Sequence, residues 1–161
     1  MISLARIDNR LIHGQVLESW IPYLNADCIV VANDGMAEAP LQRMVMESAV
    51  PRGIRVVIAS LAEVARLFAG HELDRSRVLL LFASSSDALR GHQLGIPFGE
   101  LNLGNMHAGE GKYRLCCTLA LDAEDIENLK GLEEDGVRIV SQCVPLDREQ
   151  PWRKLIQNLS P

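Results

Sequence analysis

Four ionisable side chains, Arg6, Asp8, Arg10 and His13, fall in one short run, Arg6-Ile7-Asp8-Asn9-Arg10-Leu11-Ile12-His13-Gly14-Gln15-Val16. An unprotonated imidazole is a nucleophile near neutral pH, and a guanidinium matches the oxygens of a phosphoryl group. Arg10 stands three residues before His13, so a tight loop can bring its guanidinium over the ring. Asp8 would repel a phosphate, so its expected work is to orient the imidazole or to hold Arg10, with its carboxylate turned away from phosphorus. Arg6 points elsewhere if it stays in the strand. A helix that starts just beyond His13 adds the unpaired amides around Gly14 and Gln15 and the positive end of a dipole. Such a set suits uptake of a phosphoryl group by His13. The transition state is loose and in line, so positioning and charge stabilisation outweigh covalent assistance.

These side chains need a strand before them and a helix after them. Ile2 to Ile7 reads as the strand, and Val16, Leu17, Trp20 and Leu24 mark the apolar face of the helix, with Pro22 bending it or ending it early. Short apolar runs then alternate with amphipathic stretches. Strands are expected at Cys28–Ala32, Arg55–Ala59, Val78–Ala83 (the most apolar, read as central), Leu101–Gly104, Leu115–Leu121 and, last, Val137–Val144. Asn33-Asp34-Gly35 reads as a turn. Pro40 opens a helix whose apolar face is Leu41, Met44, Val45 and Ala49. Ser60 with Glu63, Ser84 and Asp122 are helix caps, and Gly70 and Gly136 are stops. Asp147, Pro151, Trp152, Leu155, Ile156 and Leu159 describe a terminal helix. This alternation predicts a single α/β domain over 1–161, a mostly parallel sheet with helices on both faces. In such folds ligands gather at the carboxyl ends of strands, which is where His13 falls.

Composition narrows the classes. Of 161 residues 48% are hydrophobic, enough for a substantial core, and the net charge of −5 with no basic stripe argues against a nucleic-acid face. No apolar run is long enough to span a bilayer, and no secretion signal is evident at the N-terminus, so a soluble cytosolic protein is expected. Cys28, Cys116, Cys117 and Cys143 lie in apolar, strand-like runs without a CxxC pair, and read as buried reduced thiols rather than zinc ligands. His71, after Gly70, reads as a solvated loop residue and His92 as structural. His107 lies in the Gly-rich loop Asn105–Lys112, after a strand end, and is a further candidate. Asp34 and Ser84 also follow strands and are weighed as pocket residues against turn formation and helix capping. Met36 and Met46 offer an adaptable docking surface, Met44 reads as core, and Arg43 and Arg52 are candidate docking charges.

The run from Arg6 through Trp20 resembles the active-site signature of the IIB component of mannose/fructose/sorbose-type phosphotransferase systems. The apolar run ending at Asn33-Asp34, Leu80-Leu81-Phe82, Asn102-Leu103-Gly104-Asn105-Met106 and the acidic helix ahead of Gly136-Val137 resemble the same family in order and spacing. The resemblance implies a cytoplasmic phosphocarrier that works without metal or cofactor. His13 would take a phosphoryl group, on Nδ1, from a phosphohistidine IIA partner and pass it to a sugar bound by membrane IIC/IID partners. The carrier would be only transiently associated with the membrane and not inserted in it. Arg10 matches the arginine that holds the phosphoryl oxygens, and the family fold adds an antiparallel strand near the C-terminal end. Asn105 departs from the family, standing where relatives commonly have a second glycine in Asn-x-Gly-Gly-Met, and its larger side chain is expected to narrow that loop.

The alternative from another class is a regulatory histidine phosphoprotein that does not transport sugar. A nucleotide- or flavin-binding domain lacks its glycine motif after the first strand. An aspartyl receiver would want a carboxylate where Ser60 stands.

Overall fold

The computed structural model of the chain describes residues 1–157 and 159. Its strands are β1 (Ile2–Asp8), β2 (Cys28–Ala32), β3 (Arg55–Ala59), β4 (Val78–Phe82), β5 (Glu100–Asn105), β6 (Tyr113–Arg114), β7 (Ala120–Leu121), β8 (Arg138–Ser141) and β9 (Gln150–Pro151). Seven of them form one sheet in the order β3-β2-β4-β1-β5-β8-β9, with β6 and β7 in a separate antiparallel pair. All pairings from β3 to β8 are parallel, and β9 runs antiparallel to β8. The fold class is therefore as expected, including the late antiparallel strand.

Strand alternation sorts the sheet's residues into two cores, as the period of two requires. Ala5, Ile7, Val30, Leu80, Phe82, Leu101 and Leu103 face one way, and Ile29, Val31, Leu79 and Leu81 the other. The first core is covered by α4 (Leu61–Ala69), α5 (Ser85–Gln93), α6 (Ala123–Glu134) and α7 (Trp152–Ile156). The second is covered by the loop residues Leu11 and Ile12 and by the helical stretch after His13, through Val16, Trp20 and Ile21. Burying each such side chain contributes about 1.5–3 kcal/mol, so helices are held to both faces. β4 is an interior strand, although β1, not β4, occupies the middle of the order.

Helix starts follow the capping residues. Ser60 Oγ accepts from the Glu63 amide at 3.1 Å and Ser84 Oγ from the Asp87 amide at 3.1 Å, while Asp122 and Asp125 exchange bonds in a capping box. The stretch after His13 is a π-helical segment, Val16–Trp20, in which the Ile21 amide donates to the Val16 carbonyl, running into a short helix α1 (Ile21–Leu24). Pro22 sits in the first turn of α1, directly after the π-helical segment, and the helix does end early, at Asn25 with φ 50°.

Several expectations are corrected. Asn33-Asp34-Gly35 is not a simple turn. Asn33 Oδ1 caps a short helix α2 (Asp34–Ala37), accepting from the Met36 amide at 2.8 Å. The strand expected at Leu115–Leu121 is broken, because the Leu115 and Cys116 amides both donate to the Leu119 carbonyl and close a turn between β6 and β7. The strand expected at Val137–Val144 keeps only β8 and is not the last, since β9 follows. The terminal helix begins at Trp152; Asp147 lies in the preceding loop, Pro151 in β9 and Leu159 beyond the helix. Only Cys28 is a buried strand thiol; Cys116 and Cys143 are half-buried and Cys117 is exposed, all three in loops. Met44, read as core, is exposed, together with Leu41 and Val45 of α3 (Pro40–Ala49). That helix turns Met46 inward instead. An apolar stripe identifies a face that gains by being covered, not the surface that covers it.

Candidate functional site

β1 ends between β4 and β5, and its last residues turn out of the sheet at its carboxyl edge. The Leu11 amide donates to the Asp8 carbonyl at 2.9 Å, which closes a turn and puts Leu11 at φ 58°. A non-glycine residue there costs roughly 1–3 kcal/mol, offset here by burial of the Leu11 side chain. The turn folds Arg10 and His13 back over Asp8.

Asp8 is the hub. Its side chain is fully buried. Oδ1 accepts from the Arg10 amide at 3.1 Å and from Arg10 Nε at 3.0 Å, while Oδ2 accepts from Arg10 Nη2 at 2.9 Å and lies 3.1 Å from His13 Nε2. Burial alone would push the Asp8 carboxyl up, but the hydrogen bonds from His13 and Arg10 overcome it and hold the pKa at about 2. An ionised carboxylate only accepts, so the shared proton belongs to His13 Nε2, and in the neutral ring the lone pair is on Nδ1. The His13 side chain is 18% exposed, which leaves the ring reachable from solvent.

Arg10 is 42% exposed and is bound to Asp8 through Nε and Nη2, with Gln15 Oε1 accepting a further bond from Nη2 at 3.3 Å. Among the described residues its Nη1 has no hydrogen-bond partner. Gly14 begins the helical stretch, and a Cβ there would meet nothing within 4 Å, so the space beside that residue is open. The first-turn amides have no partner four residues back and are ready donors. Together these groups can hold a phosphoryl group against Nδ1.

Arg6 does not point away from the site, as expected of a strand residue, but runs beneath it. It lies on the same face of β1 as Asp8, fully buried. Nη1 donates to Asn102 Oδ1 and to the Gln142 carbonyl (2.7 Å), Nη2 donates to the Cys143 carbonyl at 2.9 Å and lies 3.8 Å from Asp8 Oδ2, and the Trp20 ring covers the guanidinium at 4.6 Å. Burial pulls the Arg6 pKa down to about 10, against the opposing pull of Asp8, so the group remains charged at neutral pH.

This cradle exists because residue 104 is glycine: a Cβ there would lie 2.1 Å from Arg6 Cζ. Sequence reasoning missed it, yet a signal was present, since Arg6 and Asn102 are polar residues inside apolar strands and are direct partners across β1 and β5. Asn105 grips the same loop. Its carbonyl accepts from the Asn9 amide at 3.0 Å and its side-chain amide donates to Asn9 Oδ1.

The lesser candidates fall outside this constellation. Asp34 is tied to other elements, accepting from the Leu61 amide at 3.0 Å and from Arg90 at 3.2 Å. Ser84 is an N-cap. His107 is exposed and lines a cavity of about 210 Å³ with Arg114 and the Cys116–Leu119 turn, and it makes no hydrogen bond with His13.

The family described as PTS system sorbose subfamily IIB component matches residues 2–160. The N-acetylgalactosamine-specific phosphotransferase enzyme IIB component 2 of Escherichia coli (strain K12) is 38% identical over 155 residues, 96% of this chain and 98% of its own. The PTS system mannose-specific EIIAB component of the same strain is 30% identical over 99% of this chain, which spans 49% of that longer protein. The crystal structure of the IIBSor domain of the sorbose permease from Klebsiella pneumoniae superposes with a TM-score of 0.93 at 31% identity, covering 99% of this chain and 98% of that one.

Proposed function

We propose that this chain, which belongs to the sorbose subfamily of phosphotransferase-system IIB components, carries its phosphoryl group on Nδ1 of His13. IIB components are transferases that pass a phosphoryl group towards a sugar. The observation that carries the assignment is the 3.1 Å contact between His13 Nε2 and the buried, ionised Asp8, which leaves Nδ1 as the open nucleophilic atom. The Nδ1 lone pair attacks phosphorus as the bond from phosphorus to the donor's imidazole nitrogen breaks. That bond's electron pair returns to the donor ring. Arg10 and the Gly14 and Gln15 amides receive the charge spread over the equatorial oxygens. In the second transfer a sugar hydroxyl attacks phosphorus and gives up its proton to solvent or to a base beside the sugar, and the Nδ1–phosphorus electron pair returns to the His13 ring.

The donor in this reading is a IIA domain, supported by the mannose relative in which IIA and IIB are named together. The acceptor is a sugar held by membrane IIC/IID partners. No helix among the described residues is long and apolar enough to cross a membrane, which accords with a carrier that meets the membrane through those partners. The exposed apolar side chains of α3 adjoin the site, since Leu41 and Val45 share a cavity of about 310 Å³ with Ile12, the neighbour of His13. A protein that reaches His13 would rest on that face, and donor and acceptor would use it in turn.

Incubation with a phosphorylated IIA domain followed by mass spectrometry tests the assignment. His13→Ala is expected to abolish labelling, and Arg10→Ala to slow it about 100-fold without unfolding the domain. A label on another side chain would overturn the reading.

A further inference from the structure

Among the described residues Arg6 is the only fully buried basic side chain, and the transfer step as described does not use it. Burying a guanidinium is costly unless it is well paired, and an aliphatic side chain would fill the same space between Trp20 and Gly104. The arrangement of charges supplies a reason. Arg10 is bound to Asp8 through two nitrogens, so the arginine nearest the phosphoryl position is already occupied. If Arg10 turned to a phosphoryl group without a substitute, it would leave a buried carboxylate beside an arriving dianion. Arg6 is that substitute. Its Nη2 is 3.8 Å from Asp8 Oδ2 and donates to the Cys143 carbonyl, while Nη1 is fixed from behind by Asn102 and the Gln142 carbonyl. With both arginines present the cluster keeps one net positive charge; with Arg10 alone, it and Asp8 cancel.

We propose that Arg6 is a positioning residue for phosphoryl transfer: as the permanent counter-charge of Asp8, it lets the half-exposed Arg10 leave Asp8 and close on the phosphoryl oxygens. Asp8 meanwhile keeps its hold on His13 Nε2, so the nucleophile stays aimed while the guanidinium changes partner. The proposal rests on the assignment of the phosphoryl group to His13.

A double-mutant cycle tests it, with single-turnover transfer from a phosphorylated IIA domain as the readout. Arg10→Ala is expected to slow the wild-type domain about 100-fold, but less than about 10-fold in an Arg6→Met background, where Arg10 is already confined to Asp8. Arg6→Lys, which retains the charge, should restore part of the difference. Asn102→Asp keeps the guanidinium in place and sets a second carboxylate against it. It should lower the coupling in the same direction, and it serves if Arg6→Met does not fold. Equal factors for Arg10→Ala in every background would overturn the proposal, because a purely structural Arg6 gives that result. Failure of the His13 assignment is distinguishable, since the wild-type domain itself would then carry no phosphoryl group on His13.

Discussion

Replacing Asp8 by Asn exchanges one carboxylate oxygen for an NH2 group at the hub of the site. In the native arrangement Oδ1 takes two bonds from Arg10, and Oδ2 takes one from Arg10 and one from His13. An amide cannot reproduce this. If its NH2 takes the Oδ2 position it faces His13 Nε2 as a donor, which drives the ring to carry its proton on Nδ1 and removes the nucleophilic lone pair. If it takes the Oδ1 position it faces the Arg10 amide and Nε instead and loosens the loop. A hydrogen bond to a charged group contributes about 1.5–3 kcal/mol, and about 1.4 kcal/mol is a tenfold change in rate, so acceptance should fall roughly 10- to 100-fold. Lost repulsion of the phosphoryl group works the other way. It is the smaller effect, because the phosphoryl group binds at Nδ1 while Asp8 holds Nε2 on the other side of the ring. Quenched-flow transfer from a phosphorylated IIA domain gives the rate, and nitrogen-15 shifts of the His13 ring give the tautomer. A variant that transfers at the wild-type rate with Nε2 still protonated would refute the role given to Asp8.

Two further outcomes follow from the same geometry. The Asp8 pKa is depressed in the folded protein to about 2, so its stabilisation is fully present above the unfolded value near 4 and is lost as pH falls through 2. The shift corresponds to roughly 2–3 kcal/mol, and urea unfolding between about pH 6 and pH 1 should show the wild type losing about that much more than Asp8→Asn; parallel losses would contradict it. Val45→Glu places a charge on the exposed face of α3 beside Ile12. It should raise the KM for the IIA donor several-fold while the melting temperature moves by less than about 2 °C, and an unchanged KM would remove α3 from the docking face.

The strand–helix alternation was legible because burial on both faces demands apolar runs, and β2 and β4 are buried along their whole length. Caps were legible because Ser60, Ser84 and Asp122 act on amides three residues away. What local pattern could not show was cover and curvature. The stripe of Leu41, Met44 and Val45 looks like a core face whether or not anything packs on it. The apolar residues from Leu115 to Leu121 conceal a turn that only the bonds to Leu119 reveal. Within the site, His13, Arg10 and Asp8 were readable from their spacing, whereas the pairing of Arg10 with Asp8 and the burial of Arg6 depend on the turn at Leu11 and on strands distant in the chain.

The Arg6–Trp20 run and the Asn102–Met106 run, met separately in the sequence, turn out to be two halves of one device. They are 96 residues apart between Arg6 and Asn102 and adjacent in the sheet. Asn102 accepts from the guanidinium, Gly104 leaves the room it occupies, and Asn105 holds Asn9, the residue between Asp8 and Arg10. The bulk of Asn105, expected to narrow the loop after β5, is instead spent on gripping the His13 loop. A glycine at 105 would keep the carbonyl bond to the Asn9 amide and lose only the side-chain bond. Any change there therefore acts on how tightly the loop is held while Arg10 changes partner, and leaves the identity of the nucleophile untouched.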